Sequence, residues 1–130
     1  MKSFVLLLVA AVTLTACHES LEDRCAREAK EYTEKYCPAP GGKNLIIDSM
    51  AFDRTTHTLS YYYSLKGDID NAAIIQKQKN FLHKQMLGVV RNATTMKTYK
   101  DAGYSFRYVY HSSKDKGQVL YDQTITKKEY

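Results

Sequence analysis

Apolar residues first cluster along this chain and then settle into two periodicities. Phe4 to Val12 is an apolar run, with Lys2 ahead of it and Leu14-Thr15-Ala16-Cys17 behind it. Leu21, Cys25, Ala29, Tyr32 and Tyr36 then recur every three or four residues, which predicts a helix from about Glu19 to Tyr36 with a narrow apolar stripe. Its acidic first turn suits the helix dipole. Cys37-Pro38-Ala39-Pro40-Gly41-Gly42 cannot continue the helix, because proline lacks the N–H donor, so residues 37–44 are expected to be a break. From there the period changes to two. Leu45 to Phe52 and Thr58 to Lys66 read as strands joined around Asp53-Arg54-Thr55-Thr56, with Leu59, Tyr61, Tyr63 and Leu65 sharing one face. Gly67-Asp68-Ile69-Asp70-Asn71 supplies a turn and an N-cap for a second helix, from about Ala72 to Arg91, with Ile74, Ile75, Phe81, Leu82, Met86 and Val89 in one broad apolar arc. Residues 92–103 read as irregular with a turn of helix. Tyr104 to His111 and Gln118 to Thr126 form a second hairpin whose aromatic face, Tyr104, Phe106, Tyr108 and Tyr110, is the expected core face.

Helix, hairpin, helix, hairpin makes two α-β-β units. Their natural packing is an α+β sandwich: a four-stranded antiparallel sheet with both helices on one face and the other face wet. A single domain, residues 17–130, is expected, with the body at 45–130.

The first sixteen residues are excluded from that domain. One basic residue, an apolar run too short to span a bilayer and a small-residue exit describe a secretory signal. An ordinary cut after Ala16 would want a small residue in place of Leu14. Leu14-Thr15-Ala16-Cys17 instead resembles the lipobox of bacterial lipoproteins. That resemblance implies cleavage before Cys17, acylation of Cys17 and permanent membrane attachment, since one acyl chain holds weakly and several hold firmly. In that family an Asp after the Cys commonly retains the protein at the inner membrane. His18 stands there, which favours the outer membrane. As a whole the chain is similar to the many small α+β lipoproteins of bacterial envelopes.

Cysteine parity fits this reading. With Cys17 lipidated, Cys25 and Cys37 remain as an even pair in an oxidising compartment and are a candidate disulfide. Twelve residues of unbroken helix would separate them by about 18 Å, far beyond disulfide reach, so either the helix breaks early or the pair stays reduced. No metal-ligand spacing occurs, and His18, His57, His83 and His111 are scattered.

Charge adds one positive signal. Without Lys2, 18 basic residues face 14 acidic ones, and from Asn71 to Lys100 there is no Asp or Glu at all. Lys77, Lys84 and Arg91, seven apart, are expected to stack on one helix stripe that attracts anionic lipid, lipopolysaccharide, acidic glycan or an acidic envelope protein. An ordinary solvated face, neutralised by acids from elsewhere in the fold, is the competing account. Nucleic acid is a poor partner for an exported, tethered chain. Tyr62 and Arg107, with His111, are expected on the wet sheet face, where an amphipathic aromatic beside a guanidinium suits a sugar or protein contact. No Gly-x-Ser-x-Gly, His-Glu-x-x-His or phosphate-cradling glycine loop is present, so no catalytic residue and no cofactor is assigned. The expected function is a lipid-anchored, non-catalytic binding or scaffolding module. The alternative is an inhibitor or immunity-type protein that blocks an enzyme; the basic body counts against lysozyme, itself basic, as the target.

Overall fold

A computed structural model describes residues 18–130, so the signal segment and Cys17 lie outside the described residues. The first helix, α1 (Leu21–Tyr36), starts where Ser20 caps it by accepting the Asp23 N–H at 3.0 Å. Strands β1 (Ala39–Gly42), β2 (Leu45–Asp53) and β3 (Thr58–Leu65) follow. Helices α2 (Ala72–Lys77) and α3 (Lys79–Asn92), a short α4 (Lys97–Asp101) and strands β4 (Ser105–Ser112) and β5 (Val119–Ile125) complete the chain. Residues 92–103 hold a 3-10 turn and α4, the turn of helix expected there.

The class is α+β, with α1 and α3 packed on one face of the sheet. Three details of the expected architecture are corrected. The sheet has five strands, in the order β1-β2-β3-β4-β5. Residues 39–42, expected as part of a break, pair with β2 (Ala39 with Ile47, Pro40 with Ile46). A proline-bearing segment can do this at a sheet edge, where only one side needs donors. The sheet is also mixed, because β3 and β4 are parallel from Thr58–Ser105 to Leu65–Ser112. The helical crossover returns the chain to the end at which β3 began, and a strand that starts there must run the same way. Finally, the second helix breaks at Gln78 into α2 and α3.

The shared face carries the core. Leu59, Leu65, Phe106 and Ile125 from the strands and Val90 from α3 are all nearly inaccessible to solvent. Tyrosines form a ladder across β3 and β4, with Tyr61 stacked on Tyr108 at 5.0 Å and Tyr63 edge-on to Tyr110 at 5.3 Å. On α3 the inward positions follow the stripe Leu82, Met86, Val90, the first two partly buried and Val90 fully. Phe81 and Val89 sit one residue earlier, about 100° around the helix, and are therefore exposed, a correction to the broad arc expected from sequence.

Two polar clamps fix the edges. β1 covers only the first half of β2, and beyond it the Thr33 hydroxyl on α1 accepts the Met50 N–H at 2.9 Å and shares its one proton between the Ala29 and Met50 carbonyls. One side chain thus satisfies a strand edge that would otherwise be open. At the far end, Asp70 accepts the N–H groups of Ser113 and Lys114 at 3.0 and 2.9 Å and pins the β4–β5 hairpin. The Ser112 hydroxyl and these two amides hold its carboxyl below the usual carboxylate range.

Thr33→Val should cost about 1–3 kcal/mol by leaving the Met50 amide groups unpaired, read from urea denaturation. Asp70→Asn should lose stability relative to wild type at neutral pH. Because the folded-state pKa is depressed, the contribution of Asp70 is present above about pH 4 and fades as pH falls through the folded value, so the two stability curves should converge in acid.

Candidate functional site

The break at Gln78 opens a groove between α2–α3 and the β1–β2 turn, with a volume of about 400 Å³. Leu45, Leu65, Ile69, Ile75, Leu82 and Tyr110 make its floor, and Gly42 and Lys43 close the far side. Ile74 and Phe81 form the near wall and are 40% and 56% exposed. A contiguous exposed apolar surface of this kind is suited to covering by another apolar surface. Lys43, Gln78 and Tyr110 are the only lining residues with polar side-chain atoms, and no carboxylate, imidazole, thiol or aliphatic hydroxyl reaches the groove. The arrangement can hold an apolar surface. Its two ionisable groups, the Lys43 ammonium and the Tyr110 phenol, have no carboxylate, imidazole or thiol beside them among the lining residues.

Sequence reasoning missed this site by assigning Ile74 and Phe81 to the core. The signal was there: six apolar residues in one helical arc exceed what a stripe facing a sheet can bury.

The residues singled out from sequence are scattered rather than gathered. Lys77 ends α2 while Lys84 and Arg91 lie on α3, so the seven-residue stripe is interrupted at Gln78. Arg91 is engaged, donating to the Glu129 carbonyl at 2.6 Å. Acids from outside the acid-free stretch do meet it: Asp101 pairs with Lys97 at 2.8 Å and Glu129 with His83 at 3.1 Å. Among the described residues, Lys77, Lys79 and Lys84 make no ion pair. The charges of α1 are paired as well, Arg27 with Glu19 just ahead of the helix at 2.7 Å and Asp23 with Arg54 in the β2–β3 turn at 2.6 Å.

Tyr62 and Arg107 do share the open sheet face, where they line a shallow depression with Ser60 and Thr124, and Tyr62 lies 6.2 Å from the His111 ring. The Arg107 guanidinium is already committed, making a bidentate pair with Asp122 at 2.8 and 2.6 Å. That pairing, with Arg107 as the donor, holds the Asp122 carboxyl below the usual range. An incoming anion would have to displace a partner already in place.

Cys25 and Cys37 are not bridged. Helix α1 runs unbroken between them, Cys25 is buried under it, and Cys37 is half-buried at its C-terminus, so the candidate disulfide is corrected on geometry. Burial pushes the Cys25 thiol up to about 11, which keeps it protonated and unreactive. Among the described residues no cluster of His, Cys, Asp or Glu could hold a metal ion, and no helix is long and apolar enough to cross a membrane.

These features define a two-layer α+β protein with a mixed sheet and an exposed apolar groove. Residues 20–121 match a family described as a domain of unknown function (DUF8479), and the chain belongs to that family. No curated protein matches it in sequence. Its fold is similar to that of solved structures. One is a presumed secreted protein of Pseudomonas aeruginosa, with a TM-score of 0.68, 13% identity, and 80% of this chain and 87% of that one covered. Another is the type II secretion system pilotin AspS of Vibrio cholerae, at 0.61 and 19%, with 84% and 91% covered. A third is the type 2 secretion system pilotin EpsS of Vibrio vulnificus, at 0.64 and 16%, with 83% and 89% covered.

Because Ile74 and Phe81 wall the groove rather than fill the core, Ile74→Ser and Phe81→Ser should each leave stability within about 0.5 kcal/mol of wild type. The buried Ile125→Ala should lose about 2–5 kcal/mol. Urea denaturation checks both, and binding of an apolar fluorescent dye to the folded protein should fall only in the two groove variants.

Proposed function

We propose that this chain is a lipid-anchored, non-catalytic binding or scaffolding module of the bacterial envelope, whose apolar groove receives an amphipathic helical segment of an envelope protein. The observation that carries the reading is the groove itself, an exposed apolar channel whose lining holds no carboxylate, imidazole, thiol or aliphatic hydroxyl. Its charge narrows the occupant. Lys43 lines the rim, and Lys77 and Lys79 bracket Gln78 at the break, so a helix with apolar anchors every three to four residues and acidic flanks is the complementary partner. Likeness of fold to two pilotins supports a role beside a secretion machine, and likeness to a presumed secreted protein supports export. The lipobox-like Leu14-Thr15-Ala16-Cys17 supports attachment through Cys17 at the outer membrane.

Two experiments test this. A photo-crosslinking residue at position 81 should, in intact cells, capture one defined envelope protein, and Ile74→Asp should abolish the adduct; capture from position 62 on the opposite face instead would move the site. Cys17→Ser should release the protein from the outer-membrane fraction and prevent labelling by radioactive palmitate; retention with label would overturn the anchor.

A further inference from the structure

We infer that the turn Thr126–Glu129 carries a binding site for the phosphate of an anionic phospholipid headgroup, placed at the end of the fold from which the chain leads back to Cys17. Gly103, Ser105, Thr126, Lys127 and Lys128 surround a depression of about 310 Å³ with no carboxylate in its lining. Two ammonium groups and two hydroxyls are the donor set a phosphate monoanion or diester needs.

The backbone that carries the two exposed lysines is held. Glu129 N–H donates to the Thr126 carbonyl at 2.9 Å, which makes Lys127 and Lys128 the two central residues of a turn. That turn is fastened beyond its end, by Arg91 to the Glu129 carbonyl at 2.6 Å and by the Tyr130 hydroxyl to the Tyr104 carbonyl at 2.6 Å. Gly103, with φ +78°, leaves the space in which the Lys127 stem lies: a Cβ there would come within 3.2 Å of Lys127 Cδ. Nearby acids are already engaged, Glu22 by His57, Asp23 by Arg54 and Glu129 by His83.

Position supplies the rest of the argument. Ser105 N–H donates to the His57 carbonyl at 2.9 Å, and the His57 ring meets Glu22 in the first turn of α1 at 2.7 Å. The depression is thus beside the start of α1. From Ser20 to Cys17 there are three residues, a reach of at most about 10 Å. The inference rests on the proposed anchor for its orientation: with Cys17 in a bilayer, this end faces the headgroups. The docking groove lies at the other end of the sheet, near Leu45 and Leu65, roughly 23 Å away along β3.

The test uses the mature chain with Cys17→Ser, which retains every contact described above, and sedimentation with phosphatidylcholine vesicles that either contain or lack phosphatidylglycerol. The expected result is binding only where phosphatidylglycerol is present, weakened about fivefold for each of Lys127→Gln and Lys128→Gln and unchanged in Lys114→Gln/Lys116→Gln at the opposite end. Equal loss in both double variants would reduce the effect to net charge and overturn the site. No vesicle binding, with inorganic phosphate bound in calorimetry and lost in Lys127→Gln/Lys128→Gln, would reassign it to a free anion. Because the protein used carries no lipid, failure here is separate from failure of the anchor, which palmitate labelling reads.

Discussion

The parallel pairing of β3 with β4 is the constraint from which the rest of the structure follows. Two parallel neighbours cannot be joined by a turn, so the chain must cross the sheet face between them, and the crossover is α2, α3 and α4. In register, the pairing stacks Leu59 beside Phe106, Tyr61 beside Tyr108 and Tyr63 beside Tyr110, so large side chains meet in rows across the centre of the sheet. The crossover then places α3 over the β4–β5 side of that floor while α1 covers the β2 side.

The tyrosines explain why this core tolerates so many hydroxyls. Burial pushes the phenols of Tyr61, Tyr63, Tyr108 and Tyr110 upward, so they stay neutral at any physiological pH and the sheet centre carries no charge. Tyr99 reaches the surface of the layer and donates to Glu28 on α1, while the Arg24 guanidinium lies 5.8 Å from its ring. Ring area supplies the packing, and the polar tips are left to tie the helices to the sheet where a partner is within reach.

Much of this was legible from the residues. The helical period of Leu21, Cys25 and Ala29, the alternation through Leu59 to Leu65 and the aromatic face Phe106, Tyr108, Tyr110 predict α1, β3 and β4 and their inward faces, because each follows from local geometry. What was not legible is what depends on neighbours. Pro38 and Pro40 argue against a strand until an edge exists for Ala39 and Pro40 to join, and parallel order is a property of the crossover rather than of either strand. The groove was hidden for the same reason. Ile74 and Phe81 look like core residues on a helical wheel, and only the position of the sheet beneath α2 and α3 shows that they rise beyond its reach. Lys84 and Arg91 illustrate the converse, since one is solvated and the other is taken up by the Glu129 carbonyl, a residue far along the chain.

The basic excess of the chain acquires meaning from where it is left over. On α1 most charges are paired, Arg24 with Glu28, Arg27 with Glu31 and Lys30 with Glu34 one turn on, and Asp23 with Arg54 across to the β2–β3 turn. Among the described residues many lysines make no ion pair, Lys35, Lys66, Lys114 and Lys116 among them, but two groups border a depression, one along the α2–α3 break beside the groove and one on the Thr126–Glu129 turn. The two lie at opposite ends of the sheet, and they differ in kind: the first borders apolar surface and suits a helix with acidic flanks, while the second borders hydroxyls and suits a phosphate. An apolar groove turned toward a bilayer would compete for acyl chains. In the proposed orientation, with the other end at the headgroups, that competition is removed and the groove is left open to a protein.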